Sequence, residues 1–364
     1  MKIINVVGTR PNFMKIAPII REMNKSDKIE HILVHTGQHY DTKMSQNFFD
    51  ELEIPQPNVH LEVGSHSHTK QTAKIMIAFE KVCDDFKPDY VLVVGDVNST
   101  MACSIVAAKK NIGLIHVEAG IRSNDRKMPE EINRLVTDSI ANYLLPPSED
   151  AVQNLINEGH APETIQLVGN VMIDTLEYSQ DKIMASTILE NHGLEENNYV
   201  TLTMHRPSNT DDKAALERIL SAIDYIQSKL TVVFPIHPRT QKMITQFGLS
   251  DVVEAMPNLI LTEPLGYFDF GKLVAKSKFV ITDSGGIQEE TTVYSIPCIT
   301  IRENTERPIT ITDGTNNLAG NNRELITGFV DQILNDKWKK GIIPKYWDGK
   351  TAERFIAFLE SIEI

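Results

Sequence analysis

The sequence predicts an α/β protein made of two doubly wound parallel sheets, and three observations point to it. Short β-branched apolar runs alternate with longer segments of helical period, the alternation restarts at residue 199, and polar or charged residues close run after run. Continuous apolar strands separated by helices are buried on both faces, as parallel strands covered by crossover helices are.

In the first half the strand-like runs are "KIINVVG", "HILVHTG", "YVLVVGD", "IGLIHVEAG" and "YLLPPS", with helical segments such as "PNFMKIAPIIREMN" and "STMACSIVAAKKN" between them. The second half repeats the rhythm with "YVTLTMH", "TVVFPIH", "NLILTEP", "KFVITDS" and "PCITIRE", the first of them followed by "DDKAALERILSAIDYIQSKL". Between the halves, "TLEYSQDKIMASTILENHGLEENN" reads as a helix ending in a polar turn, which sets a boundary near residue 170. The expected division is therefore a Rossmann-like domain over 1–170 and a second over 171–350, with the amphipathic segment 351–364 packing back on the first. A chain of 364 residues suits two such domains of roughly 150–200 residues each. Open parallel sheets bind ligands at the carboxyl ends of their strands, so two facing sheets predict a shared cleft.

Composition narrows the partners. A net charge of −13 repels polyanions, which argues against nucleic acid and against an anionic membrane surface. Cys83, Cys103 and Cys298 are scattered without metal or redox spacing, as buried thiols of a reducing compartment are. "MKIINVVGTR" is too short in apolar residues for a signal-peptide core, and no run approaches the roughly 18–20 residues of a membrane span. The expectation is a cytoplasmic protein.

The stretch "ITDSGGIQEE" puts Ser284, Gly285 and Gly286 on a strand-to-helix turn, where the first N–H groups of a helix point outward and paired glycines admit a ligand. Serine is also a favoured helix cap, so these letters leave open both an anion site and a plain cap. Gly8-Thr9-Arg10, Gln38-His39, Gly95-Asp96, His116, Glu118, His205-Arg206, His237 and Arg302 close the other strands. Taken together they form a cationic set (Arg10, Lys15, Arg206, Arg302, Arg307) and a carboxylate set (Asp96, Glu118, Glu130, Glu131). Cations with a helix N-terminus suit a diphosphate, and carboxylates suit proton transfer. Singly, Asp96 also fits a cap for a helix starting at Ser99, and His237 an interior histidine. Glu290, one turn into the helix, is placed to accept hydrogen bonds from ribose hydroxyls, while Glu289 equally suits the helix dipole.

Neither a dinucleotide fingerprint nor a P-loop is present. "YSQDK" and "YIQSK" carry the Tyr-x-x-x-Lys spacing in charged helical stretches with no glycine loop before them, as solvated side-chain pairs do. His31, His35, His39, His66 and His68 lack any metal-binding frame, and no metal is expected.

"GTRPNFMK", "GDVNST", "HVEAG", "MPEEINR", the His205-Arg206 pair, "TDSGGIQEE" and "RENTERP" occur in an order and spacing that closely resemble the non-hydrolysing UDP-N-acetylglucosamine 2-epimerases over nearly the whole chain. The resemblance implies a glycosyltransferase-B-like pair of domains, a UDP-sugar in the cleft, no cofactor, no metal and a homodimer. It implies catalytic roles for Asp96, Glu118, Glu130 and His205. Arg10, Lys15, Arg206, His237, Phe270, Ser284, Gly285, Gly286, Glu290 and Arg307 are the implied substrate-binding residues. Pro207 stands where substrate-activated members carry a second arginine, and Pro308-Ile309 departs from the usual Pro-Glu; both bear on regulation and sugar specificity. The expected reaction inverts C2 by elimination of UDP and re-addition. The alternatives are a 2-epimerase of a UDP-2,3-diacetamido-uronic acid and a hydrolysing relative.

Overall fold

The computed structural model describes residues 1–37, 53 and 56–362, and the side chain of Arg10 is outside the described set. The sequence-level assignments to Arg10, Gln38 and His39 thus fall outside the described side chains. The chain divides into two compact units, Met1–Tyr178 with Lys345–Ile364, and Ser179–Pro344.

The first sheet contains β1 (Lys2–Val7), β2 (Glu30–His35), β3 (Val59–His60), β4 (Tyr90–Val94), β5 (Gly113–Val117) and β6 (Tyr143–Leu145), in the order β3-β2-β1-β4-β5-β6. All its pairings are parallel. Residues Val91–Val94 of β4 are buried on both faces, which is why that run reads as continuously apolar. The order reverses between β1 and β4, and that switch point is where an open parallel sheet presents loops to a ligand.

In the second unit β7 (Tyr199–Thr203), β8 (Thr231–Pro235), β9 (Leu259–Thr262), β10 (Phe279–Thr282), β11 (Cys298–Thr300) and β12 (Asn316–Leu318) follow the order β12-β11-β10-β7-β8-β9, again all parallel. Counted from its own first strand this is the same order, with the switch point between β7 and β10. Leu202, Phe234, Ile281 and Ile299 from four of these strands meet Leu216, Ile223 and Ile326 from the flanking helices in one core.

Two described strands, β3 and β12, have no counterpart in the sequence reading. Each lies at a sheet edge and is only two or three residues long, so neighbour pairing rather than local apolar pattern makes it a strand. The C-terminal helix Thr351–Ser361 packs on the helix Arg10–Met23 within the first unit. Its first N–H groups, Thr351 and Ala352, donate to the buried Asp174 carboxylate at 3.0 and 2.7 Å, and Trp347 Nε1 donates to the Pro147 carbonyl at 2.9 Å. No helix among the described residues is long and apolar enough to cross a membrane.

Candidate active site

In the first unit the turn after β1 is organised by Asn12. Its Oδ1 accepts the Gly8 and Thr9 N–H groups at 3.0 and 3.1 Å, and its Nδ2 donates to the Val94 carbonyl at 3.1 Å. One side chain thus joins the two strands that flank the switch point. The next residue of β4's exit, Gly95, has φ +69°, and a Cβ there would sit 2.9 Å from Lys15 Nζ and 3.3 Å from Glu118 Oε2. Glycine is required for the left-handed backbone and for the space that the Lys15–Glu118 ion pair fills.

Glu118 is itself at φ +68°, a conformation costly for a residue with a side chain, and it is buried. Its carboxylate pairs with Lys15, which is also buried. Asp96 is half-buried, and its Oδ2 lies 2.5 Å from Arg134 Nη2. The capping reading of Asp96 is not realised: the helix runs Asn98–Lys109 with Val97 at its cap, and the Asp96 carboxylate is turned to Arg134.

Glu130 and Glu131 begin the helix Pro129–Ile140 but serve differently. Glu131 is buried and accepts the N–H groups of Ser123 and Asn124 at 3.0 and 2.8 Å, with Arg134 Nη1 at 2.8 Å. Burial pushes its carboxyl up, but these bonds outweigh it and hold the group below the ordinary range. Glu131 is therefore spent on the loop. Glu130 is half-buried and has no hydrogen bond or ion pair with any described residue.

In the second unit the buried Asp283, just past β10, organises the turn after β7. Its Oδ2 accepts the His205 and Arg206 N–H groups at 2.9 and 2.8 Å and Asn209 Nδ2 at 3.2 Å, while Oδ1 is 2.9 Å from His205 Nδ1. Burial pushes the Asp283 carboxyl up, yet the bond to His205 and these N–H groups bring it below the usual value. The carboxylate lies against the Nδ1 side of the imidazole, which leaves Nε2 on a ring 43% exposed. The His237 ring lies 5.9 Å from that of His205, and its Nδ1 accepts the Arg239 N–H at 3.1 Å to cap the helix Pro238–Gln246.

Three arginines surround one buried carboxylate. Glu306 receives Arg302 Nη2 at 2.7 Å and Arg307 Nη1 at 2.8 Å, with Arg206 Nη2 at 3.7 Å. Burial raises its carboxyl, but Arg307, Arg302 and Arg206 outweigh that and hold it far below the ordinary range. Arg307 also donates from Nε to Glu289 Oε1 at 2.6 Å, so Glu289 anchors an arginine. A Cβ on Gly285 would lie 2.7 Å from Arg307 Nη1 and 2.9 Å from Glu306 Oε1, so the glycine lets the charged cluster lie against the start of the helix Gly285–Val293.

Ser284 occupies the cap position of that helix, but its hydroxyl makes no capping bond. Glu290, fully enclosed one turn on, has its carboxyl pushed up to about 8, by burial first and by the charge of Glu289 second. Phe270 is half-buried against Val274, Val280 and Ile287.

Within the first unit the structure brings together Lys15, Asp96 and Glu118; within the second it brings together His205, Arg206, His237, Ser284, Gly285 and Arg307. Sequence reasoning missed the residues that hold them: Asn12, Arg134, Asn209 and Glu306. Glu306 had a local signal, an acid beside Arg307 in a run that begins with Arg302, whereas Asn12 and Asn209 had none. Among the described residues no group of His, Cys, Asp and Glu is arranged to hold a metal ion.

A family model described as UDP-N-acetylglucosamine 2-epimerase matches residues 21–360. The chain is 41% identical over 366 residues to the UDP-N-acetylglucosamine 2-epimerase of Methanocaldococcus jannaschii, covering 99% of each. It is 36% identical to the UDP-2,3-diacetamido-2,3-dideoxy-D-glucuronate 2-epimerase of Pseudomonas aeruginosa over 90% of each chain. A crystal structure of the M. jannaschii UDP-GlcNAc 2-epimerase in complex with UDP-GlcNAc and UDP superposes with a TM-score of 0.89 at 40% identity, covering 99% of both chains. With its two six-stranded parallel sheets and this match along nearly its full length, the chain belongs to the UDP-N-acetylglucosamine 2-epimerase family.

Proposed function

We propose that the protein interconverts UDP-N-acetylglucosamine and UDP-N-acetylmannosamine by eliminating UDP and adding it back. The observation that carries this reading is the cluster at the start of the helix Gly285–Val293, where Arg206, Arg302 and Arg307 bring three positive charges against the two carboxylates Glu306 and Glu289, beside His205. Three arginines gathered at a helix N-terminus support diphosphate binding. The relatives named for UDP-GlcNAc support the nucleotide and the sugar.

The C2 hydrogen of the substrate lies beside an acetal carbon and is scarcely acidic. When the C1–O bond breaks, its electron pair leaves with UDP and C1 becomes oxocarbenium-like, which acidifies C2–H. A carboxylate then takes the proton and a C1–C2 double bond forms. In the return step a proton adds to the opposite face of C2 while a UDP oxygen bonds to C1. The second unit supplies Arg206, Arg307, His205 and the Gly285 and Gly286 N–H groups, which stabilise the charge that develops on the leaving diphosphate, whereas the Ser284 N–H is taken by the Thr282 hydroxyl at 2.9 Å. Arg10 joins them by motif match, and His237, Phe270 and Glu290 serve the nucleoside side. The first unit supplies Asp96, Glu118 and Glu130, among which the acid/base and oxocarbenium-stabilising roles are shared. Lys15 forms the ion pair that holds Glu118 in place.

A second reading, 2-epimerisation of a UDP-diacetamido-uronic acid, draws on the P. aeruginosa relative. We further propose a cytoplasmic homodimer, to be checked by light scattering. A proton NMR time course with UDP-GlcNAc in D2O tests the reaction. The expected product is the manno isomer with deuterium at C2. Free sugar plus UDP would make the enzyme hydrolytic, retention of hydrogen at C2 would exclude elimination, and turnover of the diacetamido-uronic substrate alone would favour the second reading.

A further inference from the structure

His116 lies on β5, is completely buried, and has no task in the reaction above. Both ring nitrogens face acceptors: Nδ1 is 2.5 Å from Asp138 Oδ1 and Nε2 is 2.8 Å from the Gly95 carbonyl oxygen. A carbonyl oxygen only accepts, so Nε2 carries a hydrogen. The other oxygen of Asp138 already receives the Gly120 N–H at 3.0 Å and Arg122 Nη2 at 2.6 Å. Burial pushes the Asp138 carboxyl up, but His116, Arg122 and the Gly120 N–H outweigh it and hold it below its ordinary value, and a carboxyl oxygen 2.5 Å from Nδ1 places a second acceptor against the ring. Arg122 is in turn held by Glu158, with Nε to Oε1 at 2.7 Å and Nη2 to Oε2 at 2.6 Å. His116, Asp138 and Arg122 are buried and densely hydrogen-bonded, and the exposed Glu158 completes the chain.

The partners matter more than the pairing. Gly95 directly precedes Asp96, and Gly120 follows Glu118 by two residues, at φ +78°. Glu118 holds its own unfavourable φ of +68° between the His116 and Gly120 contacts. Asp96 and Glu118 leave different strands, β4 and β5, and nothing in a loop's own sequence fixes their separation.

We propose that His116 is a positioning residue that donates from both ring nitrogens and, through Asp138, clamps the Asp96 turn to the Glu118 turn. Its effect on turnover rests on the reading of Asp96 and Glu118 as the proton-handling groups; its hydrogen-bonding state does not.

The test has two arms on the full-length protein. In the first, nitrogen NMR of histidine-labelled protein near neutral pH, with the His116 signals assigned through His116→Gln, is expected to show hydrogens on both ring nitrogens. One bare nitrogen would overturn the clamp whatever the activity. In the second, Asp138→Asn is expected to lower kcat by roughly 100-fold, as small misplacement of reacting groups does, with UDP affinity unchanged. A folded variant with unchanged kcat, or one that loses UDP affinity and kcat together, overturns it. If Asp138→Asn does not fold, the wild-type resonances still decide. Failure of the epimerase reading would look different: no isomerisation by the wild type, with both His116 hydrogens in place.

Discussion

The two units share one strand order and carry opposite chemistry at their strand ends. In the first, carboxylates stand at the exits of β4 and β5, each held by a cation: Asp96 by Arg134 and Glu118 by Lys15. In the second, cations stand at the exits of β7 and β11, held around the buried acids Asp283 and Glu306. The same scaffold presents the same positions, so the residue types placed there, not the topology, divide proton transfer from phosphate binding. At these strand exits each buried charge meets an opposite one.

Breaking that division gives the largest expected effect. Glu118→Gln removes a first-unit acid and is expected to lower kcat by about 10²–10⁴-fold in the NMR assay, leaving UDP affinity by calorimetry unchanged. A loss of UDP binding instead would collapse the distinction between the units.

Glu290 sharpens the comparison, because it is a buried acid of the second unit without the arginine partners of Glu306. With its carboxyl pushed up to about 8, the folded protein holds a proton that the unfolded chain releases above the ordinary carboxyl range. Its contribution is fully present below that range and lost as pH rises through about 8, on the order of a few kcal/mol over the window. Glu290→Gln is expected to flatten this fall and raise Tm on the alkaline side. Parallel Tm profiles for the two proteins would rule the effect out.

Arg307→Ala tests the second unit's own share. It is expected to weaken UDP binding by about 1.5–3 kcal/mol, the value of a charge-assisted bond, with kcat affected less. The smallest effect belongs to Arg239→Ala. Its partner Asp211 is exposed and the pair is screened, so stability should change by less than about 1 kcal/mol, and any larger change would mean that burial does not decide the strength of these pairs.

The strand ends were legible because a strand buried on both faces must read as an unbroken apolar run, so the polar residue that stops it marks the exit. Asp96, Glu118, His205 and Arg302 all announced themselves this way. The partners did not. Lys15 meets Glu118 across 103 positions and His205 meets Asp283 across 78, and no local pattern encodes such distances. Glu131 looked like a site acid in sequence and Glu289 was open between a site role and a helix-dipole partner, and both proved to be anchors, because their partners, the Ser123–Asn124 backbone and Arg307, come from other elements.

By itself the sequence determined the repeated βα rhythm, the chemical types at the strand exits and the glycine-led helix start at Gly285, since apolar periodicity and turn chemistry act over a few residues. Only the tertiary structure decided that β3 and β12 are strands, that Gly95 must be glycine to admit the Lys15–Glu118 pair, and that His116 bridges Asp138 and the Gly95 carbonyl. These depend on which side chains a finished sheet brings within hydrogen-bonding distance, and that distance is set by packing rather than by order along the chain.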